Sequence, residues 1–429
     1  MTAQVPNESR ELPSGPLSHL TVLDLSRILA GPWATQTLAD LGARVIKVES
    51  LDGDDTRRWG PPFLARDTAD HSDDSFESSD AAYFTCCNRN KESVCIDFSK
   101  PEGAELIRRL ACSADILVEN FKVGGLKKYG LDYDSLHAIN PRLVYCSITG
   151  FGQTGPYADR AGYDFLIQGM GGLMSITGQP ETDTHSAEPL KTGVAIADEF
   201  TGMYAATSIL AAIASREQTG EGQHIDCSLF DSQVAMLANQ GANWLVGKRK
   251  PKPMGNTHPN LVPYRAYPVR DGHVIIACGN NRQFQSLCSV LELKSVSEDS
   301  RFLTNADRVE NRTLLEGILE KRLAHYSRDR IISLLETASV PCGPINTIPD
   351  VFDDPQVIAR DMVIQMKRSD DQEIPTVAYP VKFSATPATY RSAPPKLGAD
   401  TRVLLQNDLG MDNDAIDRLT LTKIIFQGD

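Results

Sequence analysis

Residues 20–48, L-T-V-L-D-L-S-R-I-L-A-G-P-W-A-T-Q-T-L-A-D-L-G-A-R-V-I-K-V, decide the architecture. Leu20–Leu25 is short and apolar, the composition of a strand. Gly31 and Pro32 then open a helix, where the missing proline N–H has no intrahelical partner to lose. The helix runs through Leu41, Gly42 stops it, and Arg44–Val48 is apolar again. Strand, helix and strand in so short a span make a βαβ unit. The first turn lacks G-x-G-x-x-G, so a dinucleotide site is not indicated.

The alternation continues outward from this unit. Ser93–Asp97, Asp115–Val118, Leu143–Ile148 and Gln223–Cys227 read as strands. Pro101–Cys112 and Tyr133–Asn140 read as helices, and a long helix is expected near Leu229–Val246. This pattern predicts an open, mostly parallel α/β sheet with helices on both faces and ligands at the carboxyl ends of its strands. Ala65–Asp80 is acidic and Ser/Asp-rich and reads as a surface loop. Gly247–Pro263 is basic and Pro-rich, which predicts a linker into a smaller domain. That domain offers a strand at Val274–Cys278 and helices near Arg282–Leu291, Asn311–Leu323 and Arg328–Thr337. The expected division is 1–225 for the first part of the large domain and 226–263 for a long helix and linker. Residues 264–339 form the small domain, and 340–429 return to the large one.

Lys191–Ala214, K-T-G-V-A-I-A-D-E-F-T-G-M-Y-A-A-T-S-I-L-A-A-I-A, carries the sharpest chemical signal. A short apolar run ends at Asp198, and Met203–Ala214 is an uncharged helix of small residues, hence a buried one. Asp198 therefore falls at a helix start, where unpaired N–H groups favour an anion. One reading is an N-cap. The other is a carboxylate nucleophile kept ionised by those N–H groups. Arg27, Lys122, Lys127 and Lys128 follow strands, and a local basic cluster there suits a phosphorylated ligand. For Lys127 and Lys128 a solvated helix face is the commoner outcome. Asn120 and Phe121 offer an amide and a ring. Tyr163-Asp164 reads as a turn or cap pair.

Composition bounds the rest. The chain has 429 residues, a formal charge of -13 and nine scattered cysteines without C-x-x-C. The charge argues against a nucleic-acid or anionic-membrane partner. No apolar run reaches the ~20 residues of a membrane helix. The cysteines read as reduced thiols, mostly small core residues, in an intracellular compartment. The eight histidines form no metal-binding cluster. Met1–His19 resembles neither a signal nor a transit peptide, and F-Q-G-D is not a peroxisomal address.

Several ordered motifs resemble one family. L-T-V-L-D-L-S-R-I-L-A-G-P, L-G-A-R-V-I-K-V-E, N-R-N-K-E-S-V-C-I-D-F, D-I-L-V-E-N-F and N-P-R-L-V-Y-C-S-I-T-G-F-G-Q-T-G-P-Y are similar to the class III CoA-transferases. The resemblance continues through G-V-A-I-A-D-E-F-T-G-M-Y-A, G-E-G-Q-H-I-D-C-S-L-F-D-S-Q and P-C-G-P-I-N-T-I-P-D-V-F-D-D-P-Q-V, from about Leu17 to Gly410. A-N-W-L-V-G-K-R-K and G-N-N-R-Q-F are most similar to members that move CoA from succinyl-CoA to glutarate.

The resemblance implies a Rossmann-like large domain built from both termini, a small α+β domain on long linkers, and an interlocked homodimer. It implies that Asp198 is the catalytic nucleophile, passing through an aspartyl-CoA thioester. It places CoA contacts at Arg27, Ile28, Leu29, Ala30, Ile96, Asn120, Phe121, Lys128, Tyr129 and Tyr163. Lys128 stands where many members have Arg, which exchanges a bidentate phosphate contact for a point charge. The implied partners are an acyl-CoA, a short dicarboxylic acid such as glutarate or itaconate, and a second copy of the chain. CoA is a substrate, and no metal or other cofactor is called for. Oxyanions along the path would be met by N–H groups after Asp198 or in the Gly255–His258 loop. That loop lacks the glycine run of the formyl-transferring members, which argues against oxalate. A rival of the same fold, an α-methylacyl-CoA racemase, uses His-Asp where this chain has Tyr163-Asp164. A phenol with a pKa near ~10 is a poor substitute for that base. The expected compartment is the cytoplasm, with the mitochondrial matrix as alternative.

Overall fold

The computed structural model describes residues 15–64, 80–182, 184 and 186–428. The chain divides into two compact units: Met1–Leu173, Thr192–Ala242 and Ala359–Asp429 in the larger, and Met174–Lys191 and Asn243–Ile358 in the smaller. Of the acidic stretch read as a loop, residues 65–79 lie outside the described residues. Asp80, at its end, pairs with Arg57 at 2.8 Å and Arg368 at 3.0 Å.

The first elements are β1 (Thr21–Asp24), α1 (Ala30–Asp40), β2 (Arg44–Glu49), α2 (Ala82–Thr85) and β3 (Lys91–Ile96). There follow α3 (Pro101–Ala111), β4 (Ile116–Glu119), α4 (Tyr133–His137) and β5 (Val144–Thr149). Next come α5 (Asp164–Met170), α6 (Ile196–Thr219), β6 (His224–Ser228), α7 (Leu229–Ala235) and α8 (Ala238–Gly247). The long helix expected near Leu229–Val246 is thus two helices. Ala238 sits at φ +41°, which no right-handed helix can continue through.

In the larger unit the strands order as β12-β3-β2-β1-β4-β5-β6. Strands β1 to β6 pair in parallel, as the βαβ pattern predicts. The edge strand β12 (Ile425–Phe426) runs antiparallel to β3, so both ends of the chain build this sheet. From β1 the chain winds to β2 and β3 on one side and to β4, β5 and β6 on the other. The chain therefore leaves β1 and β4 toward opposite sides of the sheet, which makes this the switch point where ligands bind on such sheets. The C-terminal part adds the hairpin of β10 (Val363–Lys367) and β11 (Glu373–Val377), with α16 (Thr401–Leu409) and α17 (Asn413–Leu421).

The smaller unit has its own core. Its antiparallel strands β7 (Tyr264–Val269), β8 (Gly272–Ala277) and β9 (Cys342–Gly343) carry Tyr267, Val274 and Ile276 into it. Five helices, α9 (Asn281–Val290), α10 (Lys294–Ser297), α11 (Asn305–Glu310), α12 (Arg312–Leu323) and α13 (Arg328–Thr337), belong to the same unit. Phe284, Leu287, Leu315, Leu319 and Ile331 join its core. Two short helices, α14 (Ile348–Phe352) and α15 (Pro355–Ala359), precede the return to the larger unit.

Small residues let α6 lie close to α1. Ala30, Ala34 and Leu38 of α1 share a core with Ala205, Ala206, Ile209 and Ala212 of α6. At the tightest point a Cβ on Gly202 would stand 2.7 Å from the Ala30 carbonyl oxygen and 3.2 Å from the Trp33 side chain. Alanine is the better helix former by ~1 kcal/mol, yet here the helices must move apart to admit it. We expect Gly202→Ala to cost about 1–3 kcal/mol by overpacking, read by chemical denaturation. A stabilised variant would show that the two helices have room to spare.

All nine cysteines are free. Six are buried and act as small core residues, whereas Cys86 and Cys112 are exposed and Cys342 is intermediate. No helix among the described residues is long and apolar enough to cross a membrane. Among the described residues no group of three or more His, Cys, Asp or Glu is placed to hold a metal ion.

Candidate active site

The crevice between the β1 and β4 loops opens into a cleft of about 250 Å³ in the larger unit. Arg27, Ile28, Leu29 and Ala30 line it from the β1 side, Asn120 and Phe121 from the β4 side, and Tyr163 and Asp198 complete it. Eight of the residues named from the sequence are thus brought together. The other three are elsewhere: Ile96 is wholly buried in the core, and Lys128 and Tyr129 do not line this cleft. Tyr129 joins it indirectly, since Phe98 packs edge-on against both Tyr129 (5.7 Å) and Phe121 (5.6 Å).

The two loops are tied to each other. The Arg27 N–H donates to Asn120 Oδ1 at 2.9 Å, and Asn120 Nδ2 donates to the Arg27 carbonyl at 2.7 Å. These bonds fix the orientation of the Asn120 amide at the cleft. Ile28 then stands at φ +72°, a region that branched side chains avoid at a cost of order 1–3 kcal/mol. Its N–H is taken by the Asp54 carboxylate at 3.2 Å. Asp54 is itself paired with Lys47 at 2.9 Å, and both side chains are fully buried. Burial opposes the charge on Asp54, but Lys47 and the Thr56 N–H and hydroxyl hold its pKa down to about 2. Beside this pair Lys91 reaches Asp24 at 3.2 Å, again fully buried.

Asp198 is not the cap of its helix. The N-cap is Ala195, whose side chain makes no capping bond, and Asp198 is the third helical residue. The cap comes from 33 residues upstream: Asp164 Oδ1 accepts the Ala197 N–H at 2.8 Å. The Ile196 N–H goes to the Val194 carbonyl at 2.9 Å, and the Glu199 N–H goes to the Ala195 carbonyl at 3.1 Å. Two expectations fail on this geometry. The N–H after Asp198 is bound within its own helix and is not free for an oxyanion. Nor do N–H groups hold Asp198 ionised: burial, then Asp164, then Glu199 raise its pKa to about 7. The Gly255–His258 loop belongs to the smaller unit, where Gly255 N–H donates to the Gly178 carbonyl at 2.9 Å.

Sequence reasoning missed two participants, Arg160 and Tyr83, whereas Lys122 was already in the basic cluster it singled out. Arg160 lines the cleft, its guanidinium held over the rings of Tyr157 (4.6 Å) and Phe151 (5.2 Å). Lys122 lines it too, and among the described residues neither cation has a carboxylate partner. Tyr83, on α2, lies within the field of Asp198: burial and that carboxylate both push its phenol pKa up. The G-P-Y-A-D-R loop was visible as a Gly/Pro stretch, but nothing in its composition says that it faces position 198.

This arrangement can present one weakly acidic carboxylate to an electrophile, with cations across the cleft for anionic parts of a ligand. A model of CoA-transferase family III matches residues 17–401. The chain is 49% identical over 384 residues to the succinate–glutarate CoA-transferase of Agrobacterium fabrum, covering 89% of this chain and 93% of the relative. It is 40% identical over 413 residues to the succinyl-CoA:glutarate CoA-transferase of Mus musculus, covering 96% and 91%. A crystal structure of a CAIB/BAIF family protein from Brucella suis superposes with a TM-score of 0.79 at 51% identity, covering 92% of this chain and 100% of that one. The chain belongs to CoA-transferase family III, and it is a CoA-transferase.

Proposed function

We propose that the protein transfers CoA from succinyl-CoA to a short dicarboxylic acid of the glutarate type, with itaconate within the same chemical class, through a thioester on Asp198. The observation that carries this reading is the Asp198 carboxylate in the cleft formed by the β1 and β4 loops. The names of the two similar enzymes, both acting between succinate or succinyl-CoA and glutarate, support the substrate class.

The steps follow from carboxylate chemistry. Ionised Asp198 attacks the donor thioester and expels CoA thiolate, leaving a mixed anhydride. The thiolate returns to the aspartyl carbonyl, releasing the donor acid and leaving an aspartyl-CoA thioester. The acceptor carboxylate attacks that thioester, CoA thiolate leaves again, and its attack on the acceptor side of the new anhydride gives the product and frees Asp198. The pantetheine and phosphates lie along the Arg27–Ala30 and Asn120–Phe121 loops in this reading, with Tyr163 at the reacting end. Arg160 and Lys122 are the cations available to phosphate or to a second carboxylate. A second copy of the chain belongs to the reading as well. Phe165, Phe200 and Tyr204 leave 59%, 45% and 46% of their surface exposed on α5 and α6, apolar surface suited to a partner.

The test is peptide mapping after incubation with succinyl-CoA, with and without hydroxylamine. We expect a CoA adduct on Asp198 and its hydroxamate, followed by discharge to glutarate. An unmodified Asp198 together with α-proton exchange in a branched acyl-CoA would replace transfer by racemisation.

A further inference from the structure

The best-built contact at the active helix has no step in the mechanism above. Asp164, the first residue of α5, reaches α6 with one oxygen, taking the Ala197 N–H at 2.8 Å. Its other oxygen accepts from Gln168 Nε2 at 2.7 Å. Gln168 is wholly buried, and its Oε1 accepts the Thr192 N–H at 2.9 Å. A fixed carboxylate thus occupies the N–H site just before Asp198, and two anions share one helix start.

We propose that Asp164 is a positioning residue for Asp198: it sets the start of the helix, and its charge keeps Asp198 a basic carboxylate rather than a stabilised one. This rests on the reading of Asp198 as nucleophile. An aspartate alone at that N-terminus would be stabilised by the N–H groups and dipole and would be a weak nucleophile. With Asp164 in the Ala197 N–H site, that N–H is not available to Asp198. The other groups facing Asp198 reinforce this. Glu199 on α6 is a second negative neighbour, and Tyr83 on α2 is a neutral phenol. Cys86, at the end of α2, lies in the field of Glu199. The cleft cations Arg27, Lys122 and Arg160 line the same cavity but are not among the groups that shift Asp198.

Asp164→Asn separates the two roles, because an amide oxygen can still accept the Ala197 N–H while the charge is gone. Carbodiimide plus an amine labels a carboxyl only when it carries its proton, so the pH dependence of labelling at Asp198 reports its titration without requiring turnover. We expect the Asp198 midpoint to fall by about one pH unit in Asp164→Asn and to stay near the wild-type value in Asp164→Glu. The acid limb of kcat/KM should move down by the same amount, making Asp164→Asn about tenfold more active at pH 5.5 relative to its own plateau. A wild-type midpoint in Asp164→Asn, with only a lower melting temperature, would reduce Asp164 to a structural cap and overturn the inference. Failure of Asp198 to take up CoA would instead remove the nucleophile reading and leave the labelling result standing.

Discussion

Asp198→Asn is expected to abolish CoA transfer, by at least ~10³-fold on the proposed covalent mechanism, and to give a more stable protein than the wild type at pH 8. The stability gain originates in the buried charge that asparagine lacks. Burial and the charges of Asp164 and Glu199 raise the folded-state pKa of Asp198 to about 7, whereas in the unfolded chain it returns to the ordinary carboxylate range near ~3.9. Below about pH 4 both states are protonated and Asp198 costs nothing. Between about 4 and 7 the unfolded chain ionises and the folded one resists, so the cost accumulates. Above about 7 it is complete and constant. Asparagine removes it, by roughly 1–3 kcal/mol once solvent screening at this partly buried site is allowed for. Thermal unfolding of the two proteins from pH 4 to 8 should therefore give curves that coincide at the acid end and separate through pH 7. Parallel curves at every pH would mean that Asp198 carries no such cost. On the proposed mechanism wild-type activity has the opposite sense, rising with pH through about 7 as Asp198 ionises.

Much of this architecture was legible because it rests on periodicity. Val and Ile at Val45, Ile46 and Val48, and the Gly42 stop before them, are local signals, and β1, α1 and β2 fall where they predict. Ligand binding at the carboxyl ends of the strands was expected, but the crevice at β1 and β4 depends on a strand order that the sequence does not state. What was not legible depends on contacts distant in sequence. The cap on α6 comes from Asp164, so a reading confined to residues near 198 assigned the N–H groups to the wrong carboxylate. Lys47 and Lys91 look like solvated strand residues, yet their side chains are fully buried and pair with Asp54 and Asp24 from other elements. Asn120 illustrates the same point: nothing local in the sequence shows that its amide ties the loop after β4 to the Arg27 backbone. Ile96, Lys128 and Tyr129 were placed by family resemblance; Ile96 ends β3 in the core, and Lys128 and Tyr129 lie in a short 3₁₀ turn outside the lining of this cleft.

Asp54→Ala should be the most destabilising single change around the cleft, and it should also raise KM for the acyl-CoA. The carboxylate answers the fully buried Lys47 ammonium at 2.9 Å, so truncation removes the direct partner of a buried charge and leaves it only Asp24 and Glu49, which costs about 3–5 kcal/mol. The same oxygens hold the Ile28 N–H, at 3.3 and 3.2 Å, and the Thr56 hydroxyl, at 2.8 Å. Ile28 at φ +72° has no reason to stay there once its acceptor is gone, and Arg27 and Leu29 move with it. A double change separates the two consequences. Lys47→Met with Asp54→Leu replaces the ion pair by apolar volume and should recover most of the lost stability. It supplies no acceptor for the Ile28 N–H, and it also removes the Lys47 Nζ bond to the Ser26 carbonyl at 3.0 Å. KM for the acyl-CoA should then remain elevated about tenfold or more in a stable protein, while kcat falls less. Recovery of KM along with stability would mean that the β1 loop keeps its shape without Asp54, and that the buried pair serves the fold alone.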